Sequence, residues 1–397
     1  MRFLPLLLAV LTPLSAASSE SLNLNSLLKN GSARVETKSG KQLLSHRDNE
    51  LFVPASILKV ATAYCALEEL GASYRYSTEL LLDDAGTLYV RGSGDPSTVS
   101  EELRRMAQQV AQKTKQVKAI VVDTSLFSDN LVIDGASPSL NPYDAKNAAF
   151  VGNFSSVALR RKRDGRVESA EPQTPLTPMS KRAGTLVKRG KTERIKIGNR
   201  WQDGALYGGE LLAAFLVEAG VTPPAKISLG STPKAAKPIV THTSSQTLEA
   251  MVAGMLEHST NFTANQIFLT LGIHKFGAPA TLQKAQRAMT ECLTQRVGWK
   301  NFHIEEGSGL SRRNQVSAHL MTSLLGRFEP YRHLLPEKEG FLAKTGSLNG
   351  VNSLAGFFTV PSEGEVRFAI IINSGVPYLY KFRAAEQIRD YLIKQAN

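Results

Sequence analysis

Two cysteines, Cys65 and Cys292, are the whole complement of a 397-residue chain. That rules out a disulfide-knit scaffold and any four-cysteine zinc or iron–sulfur site. The seven histidines include no H-E-x-x-H and no paired spacing, so zinc-peptidase chemistry has no ligand set and no metal or organic cofactor is expected. Glycine and proline, 30 and 18 residues, are too few for collagen-like or low-complexity chains. No internal repeat is present, and no apolar run reaches the ~20 residues that a membrane-spanning helix needs.

Apolar residues make up 42% of the chain and charged residues 21%, enough for two or three domains with cores of their own. The net charge is +12, which admits nucleic acid, an anionic membrane or an acidic polymer as partners. The first residues narrow that choice. Arg2, the apolar run Phe3 to Leu11 and the small residues Ser15, Ala16 and Ala17 follow the order of a secretory leader. Cleavage near Ala17 is expected, leaving a soluble chain in the periplasm, away from nucleic acid. Between Arg160 and Arg200, thirteen basic residues face four acidic ones, so nine of the twelve net charges lie in a tenth of the chain. Pro172, Pro175 and Pro178 suggest a loop between strands there. The segment reads as a solvated basic face, with contact to an anionic wall or membrane surface as the sharper alternative.

The elements alternate between types, which indicates an α/β chain. Helices are predicted over 56–70, 101–113, 208–219, 247–256, 263–271, 281–297, 315–328 and 380–394, and strands over 78–82, 87–91, 118–123, 353–360 and 366–373.

Three short motifs carry chemistry. Ser56 and Lys59 form S-x-x-K at a helix start, where side chains at i and i+3 share a face and the helix end favours a developing anion. Lys59 can accept the serine proton only when neutral, which burial and a second cation would promote. Lys344-Thr345-Gly346 is the single K-T-G in the chain. A cation, a hydroxyl and a glycine on a strand edge can hold a substrate carboxylate, with the glycine leaving room for substrate backbone. The N–H groups of Ser347 and Ser56 could then form an oxyanion hole, each donor worth ~3 kcal/mol. The third motif, S-x-N, has two serious candidates. Ser128-Asp129-Asn130 lies in a polar turn after a strand. Ser259-Thr260-Asn261 lies between two amphipathic helices and is preferred. Its hydroxyl would relay a proton between the lysines and the leaving amine, and Asn261 would hold a substrate amide.

Together these motifs resemble those of the penicillin-binding proteins and serine β-lactamases. The wider context resembles the class C low-molecular-mass penicillin-binding proteins, the D-alanyl-D-alanine carboxypeptidases/endopeptidases. It is carried by Val53-Pro-Ala-Ser-Ile-Leu-Lys, Leu88-Tyr-Val-Arg-Gly-Ser-Gly-Asp-Pro, Val122-Asp-Thr-Ser-Leu-Phe, Gly307-Ser-Gly-Leu-Ser-Arg and Ala343-Lys-Thr-Gly-Ser-Leu. The resemblance implies a split catalytic domain, residues 18–75 with 241–397, and an inserted, mostly β region of one or two modules over 76–240. It implies hydrolysis of peptidoglycan stem peptides through an ester on Ser56, with β-lactams as covalent inhibitors. Ser56, Lys59, Ser259, Asn261 and Lys344 take the catalytic places, and Thr345, Gly346 and Ser347 face the substrate. The pocket for the stem side chain maps to Phe150, Arg312, Asn349 and Asp144, the last shifted by about one position. Asn349 replaces an expected glutamine. Glu306 stands where the family usually has aspartate, a change that is tolerable if the residue only supports its loop.

Two other readings share these motifs: a serine β-lactamase or esterase, and a wall-binding protein that has lost activity. The long insert and the absence of a glutamate motif for fast deacylation oppose the first, and the intact motif set opposes the second. Cys65 and Cys292 read as two buried thiols, with a disulfide open to them in an oxidising compartment.

Overall fold

A computed structural model describes residues 22–129 and 131–395. The expected leader, and Asn130 of the first S-x-N candidate, lie outside the described residues. Among the described residues no helix is long and apolar enough to cross a membrane.

The two ends of the chain build one sheet. Its six strands run in the order Glu337–Lys338, Phe341–Leu348, Val351–Val360, Gly364–Ile372, Gly31–Thr37 and Gln42–His46, antiparallel throughout. Alternation along a strand sends side chains to opposite faces, and here both faces are covered. Ala369 and Ile371 join a core with the helices Lys59–Leu70, Leu248–His258, Asn261–Phe276, Leu282–Cys292 and Ala318–Phe328. Phe368, Ile370 and Ile372 point the other way, into a core closed by the helix Tyr380–Gln395.

Residues between these two ends form a separate core. Its larger sheet has the order Lys237–Thr243, Ser77–Leu82, Thr87–Arg91, Ala119–Asp123 and Lys226–Leu229. Two of its pairings are antiparallel and two are parallel. The helices Ser100–Ala111 and Trp201–Glu218 contribute to the same core, so this region is as helical as it is β. A smaller sheet, Val167–Ser169, Ser156–Arg161 and Thr192–Lys196, carries the basic segment. The prolines there do not mark a plain loop. Pro178 occupies the first turn of the helix Pro178–Gly184, and Thr177 caps it by accepting from the Ser180 N–H. A proline is well placed at a helix start, where its missing N–H costs nothing.

Most predicted elements recur within a few residues of their expected ends. The helix expected from Gln315 starts at Ala318, because Gln315 bridges His303 and the Ser317 hydroxyl caps the Leu320 N–H. The helix expected from Gly208 starts at Trp201.

The cysteines differ from the expected thiols: Cys65 and Cys292 form a disulfide. The helices Lys59–Leu70 and Leu282–Cys292 pack in one core, bringing the two Cα atoms to 6.0 Å across 227 residues of sequence. Such proximity is invisible in sequence spacing. A cross-link closing so long a loop restricts the unfolded chain, an effect of ~2–5 kcal/mol. Reduction, or Cys292→Ser, should lower the melting temperature by several degrees. A melting curve that reductant leaves unmoved would contradict the link.

Glu306 explains how the loop after it is held. Its fully buried carboxylate accepts from Asn265 Nδ2 (2.9 Å), Ser308 N (2.9 Å), Ser308 Oγ (2.6 Å), Leu310 N (2.8 Å) and Asn314 Nδ2 (2.8 Å). The loop is wrapped around this one group, and two of its carbonyls face the helix behind Ser56. Gly307 O accepts from Thr62 Oγ1 at 2.6 Å and Ser308 O from Lys59 Nζ at 2.7 Å. Glu306→Ala would strand several buried donors, each costing ~1–3 kcal/mol. Chemical denaturation should show at least ~3 kcal/mol of lost stability, with Glu306→Asp keeping most of it. An alanine variant of wild-type stability would rule out this role.

Candidate active site

The segment around Ser56 is tightly constrained. Ala55–Leu58 forms one 3-10 turn that runs directly into the α-helix Lys59–Leu70. Ala55 sits at φ 51°, an unfavourable backbone region for a residue with a side chain. Its carbonyl is pressed against Gly309, where an added Cβ would lie 1.9 Å from Ala55 O. Gly346 is needed for a similar reason. A Cβ there would meet Ser353 Oγ at 2.2 Å, and Pro54 O and Ser56 N at 2.9 Å. This glycine therefore makes room for the chain on the shoulder of Ser56 itself.

Lys59 has no solvent exposure. Its Nζ lies 2.9 Å from Ser56 Oγ, 2.8 Å from Asn261 Oδ1 and 2.7 Å from Ser308 O. Burial pushes its pKa well below the ordinary lysine value, the Lys344 cation adds to this, and Glu306 opposes it. A neutral amine has two N–H donors and one lone pair. Asn261 Oδ1 and Ser308 O can only accept, so they take the two N–H groups. The lone pair is left for Ser56, the one neighbour whose O–H can donate to it. The arrangement can therefore draw a proton from Ser56.

Lys344 is also almost fully buried. It lies on the strand Phe341–Leu348 and donates to Ser259 Oγ and to Thr345 O, both at 2.9 Å. Burial, then the charges of Lys381 and Lys338, lower its pKa to about 7, opposed by Glu257. Ser259 adopts a left-handed conformation (φ 55°, ψ 37°) that ends one helix, and Asn261 opens the next two residues later. That abrupt turn aims Ser259 at Lys344 and Asn261 at Lys59. The other S-x-N candidate lies elsewhere: the Ser128 N–H donates to Ala280 O, and Ser128 lines a different cavity with Trp201.

A cleft of about 470 Å³ opens onto these groups, lined by Ser56, Ser259, Asn261, Thr345 and Ser347 among others. Asp144 also lines it and is the one carboxylate among its described lining residues. Burial alone would raise its pKa, but hydrogen bonds from Ser139 and Ser137, and the Lys196 charge, hold it below the ordinary value. Arg312 donates to the backbone O of Asn349, so these two are neighbours outside the lining. Phe150 does not join them. It is buried in the core of the middle region, where an added Cβ on Gly208 would touch its ring at 3.0 Å. The aromatic residue that lines the cleft beside Asp144 is Tyr143, half exposed, whose backbone O accepts from Asn261 Nδ2 at 3.3 Å. Tyr378 and Leu310 also line the cleft and were not anticipated. The Asn141-Pro142 pair, a strong turn signal, could have placed Tyr143 on a loop tip. A second cavity of about 410 Å³ lies behind the Ser259 turn, with Glu102, Arg105, His258 and Thr260 in its wall and none of the Ser56 group.

The same architecture is found in known proteins. Penicillin binding protein 4 (dacB) of Haemophilus influenzae superposes with a TM-score of 0.77 at 21% identity, over 94% of this chain and 100% of that one. A penicillin G-acylated predatory endopeptidase of Bdellovibrio bacteriovorus superposes with a TM-score of 0.55 at 16% identity, over 92% of each chain. In sequence, a D-alanyl-D-alanine carboxypeptidase of Actinomadura sp. is 26% identical over 91% of this chain and 81% of its own length. D-alanyl-D-alanine carboxypeptidase DacB of Haemophilus influenzae is 24% identical over 83% and 82%. The model of one peptidase family matches residues 18–175, 160–332 and 327–392. With a buried lysine against a cleft-facing serine and a match along nearly the whole chain, the protein belongs to the D-Ala-D-Ala carboxypeptidase 3 (S13) family.

Proposed function

We propose that this chain hydrolyses the bond between the two terminal D-alanines of peptidoglycan stem peptides, or the matching bond of a cross-link, through an ester on Ser56. Lys59 takes the Ser56 proton as Oγ attacks the carbonyl. Ser259 and Lys344 pass a proton to the departing amine, and water then releases the acyl group. Asn261 steadies Lys59 and receives the substrate amide. The N–H groups of Ser56 and Ser347 stabilise the oxyanion, and Thr345 and Ser347 meet the substrate carboxylate. Tyr143, Asp144, Arg312 and Asn349 face the stem side chain. The catalytic unit combines residues 18–75 with 241–397, and 76–240 is an insert. The enzyme acts after export, in the periplasm, with the exposed Arg163, Lys181, Arg182, Lys188 and Lys191 of the insert turned toward an anionic wall or membrane surface.

The observation that carries this reading is the set of contacts around Lys59, two pure acceptors and one hydroxyl. Three groups fixed before substrate arrives lower the barrier by preorganisation. Among the described residues the one carboxylate lining the cleft, Asp144, is held by Ser137 and Ser139, which favours a long-lived penicillin adduct over β-lactamase turnover.

Intact-mass measurement after incubation with a penicillin should show one adduct, mapped to Ser56 and lasting far longer than its formation time. Rapid penicillin hydrolysis with no adduct would transfer the enzyme to the β-lactamase reading. Ser56→Ala should lose roughly 10⁶-fold in turnover of a D-alanyl-D-alanine peptide.

The pH dependence follows from the lysines. Lys59 acts as base only when deprotonated, so acylation falls as pH drops and Lys59 gains a proton. The apparent values belong to the coupled Lys59–Lys344 pair. Lys344→Met removes a cation that lowers the Lys59 pKa, so Lys59 should hold its proton to higher pH. The acid limb of the acylation rate, followed with a fluorescent penicillin, should shift upward. A limb that stays put or moves down would refute the coupling.

A further inference from the structure

A third buried lysine stands behind the cleft. Lys381, in the first turn of the helix Tyr380–Gln395, has no solvent exposure. Its Nζ donates to Gly346 O at 2.9 Å and to Ser347 Oγ at 2.5 Å, and the Tyr378 ring covers it with its centroid at 4.1 Å. Among the described residues no carboxylate pairs with it, and burial alone lowers its pKa, to about 8. Its two contacts, a carbonyl oxygen and a hydroxyl, suit a donating ammonium group. Two features make this placement costly. A buried charge is ordinarily paired, and the N-terminal end of a helix repels cations.

The contacts indicate what offsets that cost. An ammonium group can only donate, so Ser347 Oγ must accept from Lys381. The Ser347 hydrogen is then free to point elsewhere, and Ser347 is exposed on the cleft beside Thr345 and Tyr378. A hydroxyl held in this way is a donor aimed at an anion. Lys344 is placed differently, with its amine turned to Ser259. The two cations thus serve different ends of the cleft.

We infer that Lys381 is a positioning residue for substrate carboxylate recognition: it orients the Ser347 hydroxyl as a donor and places positive charge behind the subsite for the free carboxylate of the departing D-amino acid. This deepens the proposed reaction and rests on it. Substrates that carry an anion beyond the scissile bond are preferred through Lys381, and those without one lose that preference.

The test compares two peptides ending in D-alanyl-D-alanine, one a free acid and the other a C-terminal amide, using the whole chain. Wild-type turnover of the acid that disappears in Ser56→Ala establishes the parent reaction independently. Lys381→Met should then lower kcat/KM for the acid roughly 10–100-fold, mainly through KM, as expected for loss of a charge-assisted contact. The amide should change less than about 3-fold. Lys381→Arg should restore most of the preference for the acid. Should Lys381→Met fold poorly, Ser347→Ala should show the same selective loss. Equal losses on acid and amide would reduce Lys381 to a structural prop and overturn the inference, as would no loss on either, or a wild-type enzyme indifferent to the carboxylate.

Discussion

The site depends on one constraint: an amine must stay uncharged in a place where nothing shields it. Lys59 sits in the middle of the protein, and a full positive charge there would be expensive. The chain meets this by surrounding Nζ with carbonyl oxygens and one hydroxyl, and by keeping acids at a distance. Glu306 is the nearest acidic influence, and its charge is already shared among donors of its own loop and Asn265 of the neighbouring helix. Had a carboxylate touched Lys59 directly, the pair would have been a salt bridge, and Ser56 would have faced an ammonium with no lone pair. The same principle extends outward, since among the described residues no acid touches Lys344 or Lys381, both likewise buried. Charge also acts inward along this row: Lys381 lowers the Lys344 pKa, and Lys344 lowers that of Lys59, each adding to the larger effect of burial.

Topology makes this crowding possible. The helix that begins at Lys59 follows two strands from one end of the chain, and the lysine strand comes from the other end. They are adjacent only because Gly31–Thr37 pairs with Gly364–Ile372 in one sheet. The middle region is built on a separate core and enters the site at one point, the loop with Tyr143 and Asp144, where the Tyr143 backbone touches Asn261. Most of the chemistry is thus supplied by the outer segments, while the middle region contributes to the wall against which a substrate side chain would rest.

How much of this was legible in the sequence depends on the kind of signal. Ser56 and Lys59 are a local pattern, and helical geometry alone puts them on one face. Periodicity located most helices for the same local reason, but only five of the fourteen strands among the described residues. Ser259 was preferred over Ser128 on local grounds, a place between two amphipathic helices against a polar turn, but no local pattern could reveal a disulfide between Cys65 and Cys292. Phe150 was misplaced because an aromatic residue suits a pocket wall and a core equally well, and only packing decides between them. Tyr143, the residue just before the expected Asp144, was overlooked because a loop tip has no period. Lys381 was passed over because the helix around it reads as an ordinary amphipathic one, with nothing in its pattern to set one lysine apart from its neighbours.

The shared sheet also has a consequence for biosynthesis. The strand Gly31–Thr37 emerges early, yet its partner on one side, Gly364–Ile372, is made after nearly everything else. The lysine strand is made late as well. A ribosome that stalls, or a protease that trims the far end, therefore yields a polypeptide in which Ser56 has no completed surroundings. For a hydrolase directed at the polymer that keeps a cell from bursting, this ordering is a form of quality control: cutting power arrives only with the finished molecule.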